Sequence, residues 1–260
     1  MKSTARKLSP FTRGVMAITL VVFLQAGLAK GADRPFNFMA PDAVDVIALL
    51  PPPPITGSPE DRADMTAVAN ARNFCPSNEL AVALEQNRGL NVFSLAPFLG
   101  ANFKADRLPK TARLFRHAQS DTSRFVVTAK KHWQRLRPSV VDTNLLVTTP
   151  ALDYSYPSGH SAEATVMTLI LMELVPDQAG RIFAASRDAG WHRVQLALHY
   201  PSDIQAGRVV AQAAFQAMKK NPQFQREFAG AKAELATALA VPLLPLLNST
   251  NTKAPEPVAH

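Results

Sequence analysis

One cysteine in 260 residues, Cys75, excludes an internal disulfide and any metal or redox motif built from several cysteines. A solitary thiol in an exported chain is expected to be buried. Strand signals are nearly as scarce, since "NLLVTT" at 144–149 is the only short β-branched run and no second run stands ready to pair with it. The fold class is therefore all-α. With 47% hydrophobic and 18% charged residues, the chain suits a single-domain helical bundle with a sizeable core. An HExxH helix, a carboxylate-rich cluster and a repeat of fixed period are also missing, so neither a bound metal nor another cofactor is expected.

Long apolar runs are confined to the start. Lys2, Arg6, Lys7 and Arg13 precede an uncharged apolar stretch from Gly14 to Leu28, and small residues follow. This is the layout of a signal peptide over residues 1–31, with cleavage after Ala29 or Gly31; an uncleaved anchor is the rival reading. The next best stretch, "SAEATVMTLILMELV", is interrupted by Glu163 and Glu173 and is too short to span a bilayer. The mature chain is expected in the periplasm with no stable membrane insertion. The formal charge of +8 falls to +3 without residues 1–31, because five of the 28 Lys and Arg lie there and none of the 20 Asp and Glu. So small a surplus gives little support to nucleic acid as a partner.

Punctuation by proline organises the rest. Residues 32–58 read as an extended Pro-rich segment, with Pro51 to Pro54 forced into polyproline geometry. From Pro59 to about Arg88 the spacing predicts two helices broken at Pro76 and Ser77. Good helix formers run from Lys110 through Leu136 and stop before Pro138. Further helices are predicted over 161–175 and 177–199, from Asp203 to about Lys219 and from Pro222 to about Leu239. The domain thus occupies 59–240, followed by a flexible tail over 241–260.

Certain polar residues do not fit this core pattern. Lys130 and Arg137, seven apart on the long predicted helix, would point two cations one way. Pro157-Ser158-Gly159-His160 forms a turn into a helix N-terminus, where backbone N–H groups face an incoming anion. Arg193, His199 and Asp203 follow. Taken singly each has an ordinary reading, a solvated helix face for the first pair and a capping pair for His199 and Asp203. Asp153 lies close enough to the turn to line its mouth. His117, His132 and His260 carry no such pattern.

The order K-x6-R-P, P-S-G-H, R-x5-H-x3-D resembles the type 2 phosphatidic acid phosphatase (PAP2) superfamily, matched here as "KKHWQRLRP", "PSGH" and "RVQLALHYPSD". "LLPPPP", "SYPSGHS" and "NPQFQREFAGAKAEL" extend the likeness to the bacterial class A non-specific acid phosphatases, over most of the mature chain. The resemblance implies a helical bundle of the PAP2 and vanadium haloperoxidase type, and a metal-independent phosphatase acting on small-molecule phosphomonoesters. It makes His199 the nucleophile that forms a phosphohistidine, with Asp203 orienting its ring and His160 serving as acid and then base. Lys130, Arg137, Ser158, Gly159 and Arg193 become the phosphate-binding set, and vanadate an inhibitor. His160 must begin protonated for this, which implies an acidic to near-neutral optimum. One position departs, His192 standing where the family has serine. Two alternatives stay open, a vanadium-dependent haloperoxidase and a non-catalytic phosphate-ester-binding protein. Oligomeric state is also open, with a homodimer as the default for a domain of this size.

Overall fold

The computed structural model describes residues 35–149 and 151–240. The signal peptide and tail expected from the sequence lie outside the described residues. Ten α-helices occur among these residues, with no strand: α1 Val46–Leu49, α2 Pro59–Asn73, α3 Ser77–Arg88, α4 Val92–Leu95, α5 Pro109–Trp133, α6 Pro138–Val141, α7 Gly159–Leu174, α8 Ala179–Gln195, α9 Pro201–Met218 and α10 Pro222–Ala240. None is long and apolar enough to cross a membrane.

Helix α7 is the axis of the bundle. Its apolar residues fall on every side, and Ala162, Ala164, Val166, Met167, Ile170 and Leu171 are fully buried. A helix apolar all round must be enclosed, and α5, α8 and α9 enclose this one. Helix α5 is amphipathic instead, turning Leu114, Phe115, Ala118, Phe125, Val126 and Ala129 inward. Leu108, its N-cap residue, cannot cap, so Glu234 of α10 does so from across the bundle. The Glu234 carboxylate accepts from the Lys110 N–H at 3.0 Å and from the Thr111 N–H at 2.8 Å. Buried Asp121 acts likewise on the entering chain, accepting from the backbone N–H of Asn37 at 2.8 Å and of Phe38 at 2.7 Å.

Several helix ends differ from the sequence expectation. Helix α5 stops at Trp133 because Gln134 adopts a left-handed conformation (φ 50°), so Arg137 is not on the long helix with Lys130. It precedes Pro138 as the N-cap residue of α6, where proline's fixed φ suits the first helical position. Helix α8 ends at Gln195 rather than running to 199, since Ala197 turns left-handed (φ 52°). The loop then folds back, and the N–H groups of Leu198 and His199 both donate to the Arg193 carbonyl at 3.1 and 3.3 Å. Asp203 does not open α9; Tyr200 is the N-cap residue and Pro201 begins the helix. The segment expected to be extended contains the one-turn helix α1, capped by the Asp45 carboxylate. Cys75 is only half-buried, because it lies in the link between α2 and α3 where neither helix covers it.

Gly207 sets how closely α9 approaches the turn that starts α7. A Cβ at this position would lie 2.5 Å from the Ser158 carbonyl oxygen and 3.1 Å from the Ala162 nitrogen. Backbone cannot yield as a side-chain tip can, so a methyl group here must push α9 from α7. Gly207→Ala is expected to cost about 1–3 kcal/mol in urea unfolding and to lower activity, while Gly180→Ala, which meets open space, does neither.

Candidate active site

Five segments converge where α7 and α9 begin. Lys130 comes from the last turn of α5, Arg137 from the loop after it, Ser158 to His160 from the start of α7, Arg193 from the last turn of α8, and His199 and Asp203 from the entry to α9. Two cations thus stand at helix C-termini, where the helix dipole favours positive charge. Ser158 caps α7 by accepting from the Ser161 N–H at 3.3 Å, leaving the first N–H groups of the helix at its open end.

His199 is fully buried with both ring nitrogens assigned by their neighbours. Arg137 Nη1 lies 3.0 Å from Nε2, and a guanidinium can only donate, so Nε2 carries the lone pair. The other nitrogen, Nδ1, faces Asp203 Oδ2 and Ser155 Oγ, each at 3.4 Å. Asp203 is fixed from all sides. Its Oδ2 accepts from the Tyr200 N–H at 2.9 Å and from the Ser155 hydroxyl, and its Oδ1 pairs with Arg135 at 2.8 Å.

Arg193 donates from Nη2 to Asn87 Oδ1 at 2.9 Å, while its Nε and Nη1 are buried with no partner among the described residues. Lys130 and Arg137 are paired with Asp153, Lys130 at 2.8 Å from Oδ2 and Arg137 through Oδ1. Burial would raise the Asp153 carboxyl, but these two cations outweigh it and hold it well below the usual carboxylate range. Burial and then Arg137 push Lys130 down to about 8. Burial followed by Arg137 does the same to Arg193, to about 10.

The same field acts on the histidines. Burial, then Arg193, Arg137 and Lys130, push His160 down to about 3. His199 is lowered well below its ordinary value by burial first and Arg137 next. Among protein charges alone His160 is thus driven toward the neutral form, by burial first and then by three cations that outweigh Asp153. Protonation requires a further negative charge nearby.

Residues 122–227 match the model of the PAP2 superfamily. An acid phosphatase of Zymomonas mobilis subsp. mobilis is 32% identical over 204 residues, covering 75% of this chain and 76% of that protein. The chain belongs to the PAP2 superfamily. A non-specific acid phosphatase of Providencia stuartii is 31% identical over 205 residues, covering 75% of this chain and 82% of its own length. One of Salmonella typhimurium is 30% identical over 233 residues, with 83% and 91% covered. The crystal structure of a bacterial vanadium-dependent iodoperoxidase superimposes with a TM-score of 0.55 at 15% identity, over 69% of this chain and 53% of that one. That likeness shows the all-α PAP2 fold.

Every site residue singled out in the sequence lies within the matched span of this PAP2 chain, and the structure gathers them around His199. Asp153, expected only at the mouth, reaches both cations. Sequence reasoning missed Ser155 and Arg135. Arg135 stands inside the quoted first motif, so a signal for it existed; Ser155 is an ordinary loop serine and gave none. His192 turns away from the cluster toward α3, with Nδ1 2.8 Å from Gln86 Oε1.

Neutral buried histidines link stability to pH. In the unfolded chain these rings take up a proton near pH 6.5, whereas folded His160 and His199 do so only well below it. The folded state then binds fewer protons, so this stability is present above about pH 6.5 and is lost as pH falls. Urea unfolding at pH 7 and pH 5 should show the loss, up to about 1.4 kcal/mol per pH unit from His199. His199→Gln should have a shallower dependence, and an equal slope in both proteins would contradict a neutral His199.

Proposed function

We propose that this protein is an exported, metal-independent acid phosphatase that hydrolyses phosphomonoesters through a phosphohistidine on His199. The observation that carries the reading is the His199 ring, whose Nε2 lone pair faces Arg137 Nη1 at 3.0 Å within the field of Lys130 and Arg193, while Nδ1 faces Asp203. The relatives at about 30% identity, named acid phosphatases, support hydrolysis over halide oxidation. The chain is a phosphoric monoester hydrolase. Its metal independence, its export to the periplasm and the roles given below are parts of the proposal.

A phosphoryl group in transit spreads negative charge over three equatorial oxygens. Lys130, Arg137 and Arg193 surround that charge, and the unpaired Nε and Nη1 of Arg193 provide donors with no protein acceptor to leave. The Ser158 hydroxyl and the N–H groups of Gly159 and His160 add neutral donors at the start of α7. Nε2 of His199 attacks phosphorus and the P–O bond to the leaving group breaks. His160 gives its proton to the departing alkoxide. In the second step water attacks phosphorus as His160 takes its proton, the new P–O bond forms and the P–N bond breaks, phosphate departs, and Nε2 of His199 regains its lone pair. Asp203 holds Nδ1–H throughout and stabilises the positive charge that the ring acquires.

The proton on His160 comes with the substrate. A phosphomonoester dianion set among the cations offsets the field that keeps the ring neutral, so binding takes up a proton and weakens as pH rises. Activity is accordingly expected to be highest at acidic to near-neutral pH, and an optimum above about pH 8 would contradict the roles given to the two histidines.

Hydrolysis of p-nitrophenyl phosphate near pH 6 tests the reading. Turnover is expected to persist in EDTA, to be inhibited by vanadate, and to fall by about 10³-fold or more in His199→Ala. Turnover surviving in His199→Ala would remove the assigned nucleophile. Loss in EDTA, restored by a metal, would remove metal independence.

A further inference from the structure

We propose that Asp153 is a displaceable internal counter-ion that sets the anion selectivity of this site. Its carboxylate occupies Lys130 and Arg137 until a terminal phosphoryl group replaces it, a step weaker anions do not accomplish. This rests on the phosphatase reading and deepens it.

The geometry separates what holds the loop from what holds the cations. Arg137 Nε donates to the Asp153 backbone carbonyl at 3.0 Å, Lys130 donates to the Tyr154 carbonyl, and the Ser155 N–H donates to the Arg135 carbonyl at 2.8 Å. These main-chain bonds keep both cations and residues 153–155 in place whatever the Asp153 side chain does. Rotation about its χ1 is then enough to release the carboxylate, with no movement of the loop. The side chain is 38% exposed, against 4% and 5% for those of Lys130 and Arg137, so it has a way out to water that the cations lack.

The carboxylate meets one lysine and one arginine as two terminal phosphoryl oxygens would. It does not reach the free Nε and Nη1 of Arg193, for which no protein acceptor is present among the described residues. A group with three terminal oxygens can therefore take over both Asp153 bonds and also satisfy Arg193. An anion of one charge or two free oxygens exchanges one ion pair for another and gains little. With Asp153 held well below the usual carboxylate range by its cations, it competes throughout the working pH range.

Asp153→Asn retains shape and removes charge; Asp153→Ala removes the group. Titration calorimetry with inorganic phosphate should show about tenfold tighter binding by both variants than by the wild type. The preference in kcat/KM for p-nitrophenyl phosphate over bis(p-nitrophenyl) phosphate should narrow in parallel. Unchanged or weaker phosphate binding, or failure of both variants to fold in a thermal melt, would overturn the inference and make Asp153 a structural partner of the cations. The calorimetric arm needs no turnover. Tighter binding without hydrolysis in any protein would uphold Asp153 and sink the phosphatase reading, whereas no phosphate binding by wild type or variants would overturn both.

Discussion

The fully buried carboxylate of Asp203 joins four parts of the chain, and the position of His199 depends on it. One oxygen accepts from the Tyr200 N–H at 2.9 Å, which caps α9, and from the Ser155 hydroxyl, which ties in the loop before α7. The other pairs with Arg135, whose remaining donors reach Asp61 at 3.1 Å and Asp64 at 2.9 Å on α2, while its guanidinium lies 3.7 Å over the Tyr200 ring. A buried charge without partners is costly, so each group in this set holds the next in place. Helix α2, far from His199 in sequence, is therefore part of what orients its ring. With so many fixed partners, Asp203 presents one oxygen to Nδ1 in one direction, and Nε2 must face the cations.

Those cations are a strain on the fold that the bundle tolerates. Burial first and Arg137 next lower both Lys130 and Arg193, burial and then the three cations lower both site histidines, and Asp153 opposes the cations at the site mouth. The arrangement persists because the surrounding geometry is rigid: α7 is enclosed on all sides, Gly207 lets α9 meet its first turn, and Ser161 Oγ donates to the Ile204 carbonyl at 2.8 Å. Sites that gather like charges commonly trade stability for function in this way.

Much of the fold was legible in the sequence because its signals are local. Proline and capping residues bound the helices, and the all-round apolar run of α7 announces a buried axis. Helix ends were read less well, since the left-handed turns at Gln134 and Ala197 fall on residues with no intrinsic preference for them and are imposed by tertiary packing. The separation of Arg137 from the long helix followed from one such turn, yet the two cations still converge, now through their shared partner Asp153. Motif spacing identified the residues around His199 without their network. Arg135, Ser155 and Asp153 act through contacts between loops and helices more than fifteen residues apart or from different elements, and no periodicity encodes such contacts. Charge state was the least legible property: a sequence shows a histidine, whereas the lowering of His160 depends first on its burial and then on the summed field of three cations.

The covalent step is the center of the proposed mechanism, and it can be tested directly. Wild-type protein mixed with a ³²P-labelled phosphomonoester and quenched in alkali within milliseconds should carry alkali-stable, acid-labile label, and peptide mapping should place it on Nε2 of His199. Label on another residue, or none while turnover proceeds, would contradict a phosphohistidine at this position.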